Sequence, residues 1–507
     1  MRKTFSHLAA GIAALFMGAQ AVSAPAAISQ EPLPIDYWAV RSTMSSATLS
    51  PDGKKLAFLK INSKDGDPII EIHNVDKIGD EDETLRLGSK KMEFINISWV
   101  GDDYLTFTAR QQVRRRIEGV NRGTYEYRFE GYDYAKRKWV KLADNQFGYA
   151  IVENELYDDP DEILISTFDQ DPGDLAFANF IQADYYRYNL KTGSKKIVLR
   201  GNQKNSQATF GRDGTPIFSQ GYDATKGDFV YYYRPEGTTR WDEIYRIPSY
   251  NYNESIEFFG TDEVDKNIVY VFAYNGEDKQ AIWSFDVNTK QFVEKLFQHQ
   301  EVDVVGVREH HNPWYDDGNE EKTRGLKIAG VRYATDKVHT MWVDAEEEAL
   351  FKGLEQAIPN AHHISIPSVS RDGSVKLIHN RGPRDPGSYY LLKGGALQYI
   401  GGAAPHLPAE QLADVKFIKY PTRDGHQIPA YLTVPNTPGP WPLIVLPHGG
   451  PHIHEVIDYD EWGQFLANNG YLVMQPEYRG SRGWGLSHWQ QSFAQWGKLM
   501  ADDKDDG

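Results

Sequence analysis

Leu443-Ile444-Val445-Leu446-Pro447-His448-Gly449-Gly450-Pro451-His452 is the stretch from which the rest of this chain can be read. Four apolar residues closed by proline predict a buried strand. Two glycines then let the backbone turn sharply and lie close to a ligand, since no Cβ intervenes. Trp462, Phe465 and Leu466 mark a helix that Asn469-Gly470 stops in the left-handed conformation. Tyr471-Leu472-Val473-Met474 predicts a second buried strand. Strand, glycine loop, helix, strand is a βαβ unit with parallel strands.

Working back toward the N-terminus, the chain carries a long period. Ser50-Pro51-Asp52-Gly53 is a type I turn followed by the strand residues Leu56–Leu59. Turn-then-strand pairs recur at Gly101-Asp102-Asp103, Asp159-Pro160-Asp161, Arg212-Asp213-Gly214, Thr261-Asp262-Glu263, Asp316-Asp317-Gly318 and Arg371-Asp372-Gly373. Seven turns about 50 residues apart predict seven blades of a β-propeller. Tyr132–Lys136, Tyr186–Leu190 and Trp283–Val287 run in phase with them, each an aromatic strand ending in Asp or Asn before a turn. They fit the outer hairpin of a four-stranded blade. The sixth repeat is the weakest, with a polar insertion from His310 to Arg324. Gly401-Gly402-Ala403-Ala404-Pro405 reads as a linker. Beyond it, two strands flank the turn Arg423-Asp424-Gly425 as a hairpin leading into the later sheet. The expected organisation is a propeller over 36–402 and a second domain from 410 to 507.

Residues 1–24 read as an export signal. Arg2 and Lys3 precede an apolar run, Leu8 to Met17, and an Ala-x-Ala site at Ala19-Gln20-Ala21 or Val22-Ser23-Ala24. The run is too short to span a bilayer, so a periplasmic or secreted protein with no membrane span is expected. Cysteine is absent, which excludes disulfides and thiolate chemistry. A formal charge of −16 argues against nucleic acid as a partner.

The second half of the candidate site is Tyr478-Arg479-Gly480-Ser481-Arg482-Gly483-Trp484-Gly485. It fits neither dinucleotide nor P-loop spacing, so no cofactor is expected. His448, His452 and His454 with Asp458 and Asp460 invite a metal reading, but Gly-Gly-Pro forbids the helix that would align an i,i+4 pair. No metal is expected there. Asp502–Asp506 reads as the polar side of a helix whose apolar side is Trp489, Phe493, Trp496 and Met500.

His448-Gly449-Gly450-Pro451, some thirty residues ahead of Tyr478-Arg479-Gly480-Ser481 and behind a propeller with Ser-Pro-Asp-Gly turns, resembles the prolyl oligopeptidase family of serine peptidases. Within it the motif looks closest to the acylaminoacyl- and dipeptidyl-peptidase branches. The resemblance implies a mainly β chain, with a seven-bladed propeller followed by the first part of an α/β-hydrolase domain. It implies short peptides as substrates and a Ser-Asp-His triad. By position, Gly450 would give a backbone N–H to the oxyanion, while Gly449 and Arg479 would touch substrate. No serine here has glycine at both −2 and +2, the nucleophile-elbow pattern; Ser487 has Gly485 before it but Trp489 after it. The sequence therefore reads as a fragment that stops before its triad and is inactive by itself. A propeller-capped esterase and a non-catalytic peptide-binding propeller are the alternatives. Substrate preference and oligomeric state are not legible.

Overall fold

The computed structural model describes residues 31–507 apart from 64–65, 90, 115–123, 143–149, 169–181, 204, 263 and 316–326. The expected export signal and the sixth turn, Asp316-Asp317-Gly318, lie outside the described residues.

Seven antiparallel sheets follow one another along the chain, at 44–87, 93–141, 150–199, 207–248, 257–297, 304–342 and 363–402. Six have four strands in chain order and the sixth has three among the described residues. The described turns of the repeat all fall between the first and second strands of a sheet. Local chemistry explains why they look alike. In the first sheet Ser50 Oγ donates to Asp52 Oδ1 at 2.6 Å and accepts from Lys55 N at 2.9 Å. The seventh repeats this with Ser370, Asp372 and Val375 at 2.6 and 2.9 Å. The outer hairpins share another device, an Asp or Asn side chain accepting two following backbone N–H groups. Asp286 does so from Asn288 and Thr289, and Asn189 from Lys191 and Thr192.

Each sheet buries apolar side chains against the next. Trp99 and Phe107 meet Ile70 and Ile72, for example, and Phe218 and Tyr231 meet Val271 and Phe285. The seventh sheet packs on the first through Leu377 and Leu391 against Leu56 and Phe58. Thr43 N donates to Ala403 O at 2.7 Å across the same seam. The sheets thus form a ring closed by packing, as in a β-propeller, which leaves only short edges on each sheet.

The sequence reading missed a helix, Ala345–Ala357, which follows the third strand of the sixth sheet. Its signals were present: Asp344 accepts from Glu346 N and Glu347 N as N-cap, and Glu346–Glu348 fill the first turn. The supposed linker also begins too early, because strand Ala396–Gly402 runs through Gly401 and Gly402.

After the ring, strands Asp414–Pro421 and Gln427–Val434 pair as a hairpin. Gln427–Val434 also pairs antiparallel with Leu472–Pro476, which pairs in parallel with Leu443–Val445. Helix Glu461–Asn468 makes the crossover, capped by Asp460 and ended by Gly470 at φ +87°. Two expectations need correction here. Leu443–Val445 is an edge strand and not buried, with Leu443 47% and Val445 37% exposed, because among the described residues it is paired on one side only. The helix turns Gly463, Gln464 and Ala467 inward and leaves Trp462 70% exposed, so its apolar stripe lies elsewhere than the aromatic spacing suggested.

This lobe sits on one face of the ring. Turns between the second and third strands of sheets five, six and seven hold it: Leu486 N donates to Asp278 O, Ile457 N to Asp336 O, and Arg381 binds Asp458. The segment preceding the ring is fastened to the lobe as well. Leu33 N donates to Asn468 Oδ1 at 2.7 Å, and Trp38 packs edge-on against Phe465. No described helix is long and apolar enough to cross a membrane.

Candidate active site

Two loops meet at the lobe's inner end, 446–455 after the edge strand and 477–485 after strand Leu472–Pro476. Side chains of the first bind the backbone of the second: His452 Nδ1 lies 2.8 Å from Gly480 O. Tyr478 returns a bond to His448 O at 2.8 Å and stacks on the His448 ring. Arg482 N donates to Ile453 O. Gly483 is required at this junction, since a Cβ there would stand 2.0 Å from His454 Nδ1.

Gly450 lies at the bend with φ +116°, a conformation other residues reach only under strain. A Cβ would also meet Ile453 Cγ1 at 2.7 Å. Both Gly449 and Gly450 are exposed, and the Gly450 N–H meets no acceptor among the described residues.

His448, Ser481 and Glu477 form a constellation that imitates a catalytic triad. Ser481 Oγ is 2.9 Å from His448 Nε2, and Glu477 Oε1 is 3.7 Å from the same nitrogen. Three facts remove it from consideration. Ser481 is fully buried. Its single hydroxyl proton is shared between His448 Nε2 and Tyr478 O, 2.8 Å away. The carboxylate sits on the ring nitrogen that faces the serine, whereas an orienting acid must hold the other one. His448 Nδ1 instead faces Gly449 O at 2.9 Å. The network shapes the loop.

Beneath the loops lie groups that the sequence did not reveal. Burial pushes Glu477 up to about 8 and Glu455 up to about 7. Glu477 accepts from Glu455 N and from Trp484 Nε1, both at 3.1 Å. Burial pulls His454 down to about 4, so it is neutral. Glu477 and Glu455 stand 22 residues apart on facing loops, and no local spacing announces that they meet.

Arg479, expected to touch substrate, is buried among carboxylates. Its Nε lies 2.9 Å from both oxygens of Asp503, and its terminal nitrogens reach Asp424 at 2.6 and 3.1 Å. Asp424 holds its pKa far below the carboxylate range mainly through this bond. The pairing accounts for Arg479 as the tie between the hairpin turn and helix Leu499–Asp506. It also corrects the reading of 502–506 as a purely polar face, because Asp503 is fully buried. Trp489, Phe493, Trp496 and Met500 do not share one helix: Leu486–Gln490 ends before Phe493, which is 51% exposed, and Trp496 is 71% exposed.

The glycine loop faces the ring. Asp303 N donates to Gly483 O at 2.8 Å, and Asp303 accepts from Tyr274 and Gln280. A cavity of about 300 Å³ lies between the two, lined by Glu257, Tyr274, Val304, His454, Arg482 and Trp489 among others. An exposed amide at a left-handed glycine can stabilise negative charge on a carbonyl oxygen brought to it.

No protein-family model matches the chain. It is 24% identical over 331 residues to dipeptidyl aminopeptidase BIII of Pseudoxanthomonas mexicana, covering 63% of this chain and 45% of the relative. It is 24% identical over 389 residues to dipeptidyl peptidase family member 6 of Caenorhabditis elegans, covering 70% and 48%. The chain thus spans about half the length of the curated relatives it matches. Among solved structures, a prolyl endopeptidase superposes with a TM-score of 0.60 at 12% identity, over 93% of this chain and 66% of that one. In sequence the chain is thus similar to dipeptidyl peptidases, and in fold it is similar to a prolyl endopeptidase.

Proposed function

We propose that these residues belong to a propeller-gated serine peptidase that hydrolyses short peptides, of the amino-, dipeptidyl- or acylaminoacyl-peptidase type. The lobe from 410 to 507 is then the first part of its α/β-hydrolase domain. The seven-bladed propeller restricts entry to short or flexible chains, and the protein is exported after removal of residues 1–24.

The observation that carries this reading is the exposed Gly450 amide at φ +116°, at the end of a parallel strand and facing no internal acceptor. When a nucleophile adds to a peptide carbonyl, charge gathers on the oxygen. A donor fixed in advance stabilises that charge without reorganising. Glycine admits the carbonyl to the amide, and the His448–Tyr478 stack holds the loop still. Gly449, also exposed, precedes Gly450 in the loop. The partner donor would come from the residue after the nucleophilic serine, which is not identifiable among these residues.

The test is a crystal structure of the active peptidase carrying a phosphonate adduct. The Gly450 nitrogen should lie within about 3.1 Å of the phosphonyl oxygen, and a clearly longer distance overturns the assignment. Gly450→Ala keeps the amide but forces it out of place, through the positive φ and the clash with Ile453, and should lower kcat by up to about 10²–10³-fold, the effect of losing one donor. Cleavage of peptide amides as well as esters is expected; hydrolysis of esters alone would make the protein an esterase. A polypeptide of residues 25–507 alone should not be labelled by a fluorophosphonate.

A further inference from the structure

The face of the ring opposite the lobe holds the turns between first and second strands, and there the connection after the sixth sheet's first strand, Val304–Glu309, runs inward. Residues 310–315 border two cavities. One, of about 170 Å³, is lined from sheets three to six, and the other, about 330 Å³, from sheets one, two, three, six and seven. His310 and Pro313 line both, so this segment crosses the mouth of the ring and divides it. Its far end is moored at the third sheet, where Trp314 Nε1 donates to Tyr157 O at 3.1 Å and the two rings meet edge to face.

The near end is held by an unusual group. His310 Nε2 lies 3.1 Å from Glu347 Oε1, and His311 Nδ1 is in close contact with the same oxygen. Glu347 stands in the first turn of helix Ala345–Ala357 and is 1% exposed. Both imidazoles are mostly buried, and one ligand atom from each of the three side chains lies within 4.8 Å of the others. Among the described residues, no lysine or arginine lies within ion-pair distance of this buried carboxylate. The nearby Arg308 guanidinium lies instead over the Phe351 ring, 4.4 Å from its centre.

We propose that His310, His311 and Glu347 form a binding site for a divalent cation of the zinc class, which fastens the crossing segment to helix Ala345–Ala357. Two imidazole nitrogens and one carboxylate oxygen are a zinc donor set, whereas magnesium and calcium call for oxygen alone. Ligand atoms around one tetrahedral zinc stand about 3.3 Å apart. The His310–Glu347 separation already meets this, and a small rotation of the His311 ring opens the other pair. His310 Nδ1 accepts from Asn312 N at 3.1 Å and lies 3.2 Å from Asn312 O, so the segment's own backbone holds the ring with Nε2 toward Glu347; loss of the Nε2 proton frees that nitrogen for a cation. The cation would compensate the buried carboxylate, and water from the adjoining cavity would complete its coordination. No local spacing announces this site, since the third ligand is 36 residues from the second and the fold alone brings them together.

The experiment is calorimetric titration of chelator-treated protein with Zn²⁺, with Mg²⁺ as control, repeated on His310→Ala and His311→Gln. One equivalent of Zn²⁺ should bind the parent protein, with affinity at least about tenfold lower in each variant. Co²⁺ should give a visible absorption band that His311→Gln abolishes. Anomalous diffraction at the zinc edge should place a peak between the three side chains, which keeps the test decisive if a variant fails to fold. Zinc binding unchanged in both folded variants, or a peak elsewhere only, overturns the proposal.

Discussion

The ring and the lobe are stabilised in opposite ways. Between neighbouring sheets of the ring the contacts are mainly apolar and repeat around the circle, and the turn side chains act within a few residues of themselves, as Ser50, Asp52 and Asp286 do; the buried carboxylate of Glu347 is the exception. The lobe instead buries titratable groups and joins residues 20 or more positions apart: Arg479 with Asp503 and Asp424, and Glu477 with Glu455. A ring needs only each sheet to fit its neighbour. A site needs particular atoms at particular points, and buried polar groups that must find each other make one arrangement far better than the rest.

The contrast can be broken most severely at Asp503. Asp503→Ala leaves the Arg479 guanidinium buried with half its partners gone, which costs about 3–5 kcal/mol. Urea unfolding followed by lobe tryptophans should show that loss. Leu377→Ala at the seam between seventh and first sheets removes a fully buried side chain. It should cost about 2–5 kcal/mol in the same measurement, and a loss under about 1 kcal/mol would mean that the seam is loosely packed.

A pH series separates the two regions more finely. Glu477 and Glu455 have raised pKa values in the folded lobe, so between about 4.5 and 8 the unfolded chain holds fewer protons than the folded one. Stability from these groups is therefore full below the unfolded value and declines as pH rises through 7 and 8. Glu477→Gln should flatten that decline; an unchanged slope would refute the assignment. Smallest of all, Asp286→Ala removes a turn acceptor for two N–H groups and should cost about 1 kcal/mol, with sheet five otherwise intact by hydrogen exchange.

The same division decides what could be read from the sequence. The ring was legible because each turn writes its own local signature, and the described members of the sevenfold series fall at equivalent places. The strand–glycine–helix–strand unit was legible for the same reason. The resemblance puts Arg479 on the substrate, whereas the fold brings Asp503, 24 residues on, over it, a pairing no local spacing shows. Trp462, Phe493 and Trp496 were assigned to buried faces by spacing, yet each stands in solvent here. Helix Ala345–Ala357 was missed although its cap and acidic first turn were visible, because the sevenfold rhythm drew attention to strands.

The bond from Leu33 N to Asn468 Oδ1 spans 435 positions of the chain. During synthesis at about 5–20 residues per second, Leu33 and Trp38 wait at least some 20 s for their partners to be made. For that time the first-made segment is an unoccupied apolar strip, and the first sheet has no seventh to close against. Most of the ring can assemble sheet by sheet as it emerges, but its closure and the mooring of its leading segment are postponed to the end. A substitution at Trp38 or Asn468 would therefore be felt as a slow or failed late step of folding, with the intervening sheets already in place.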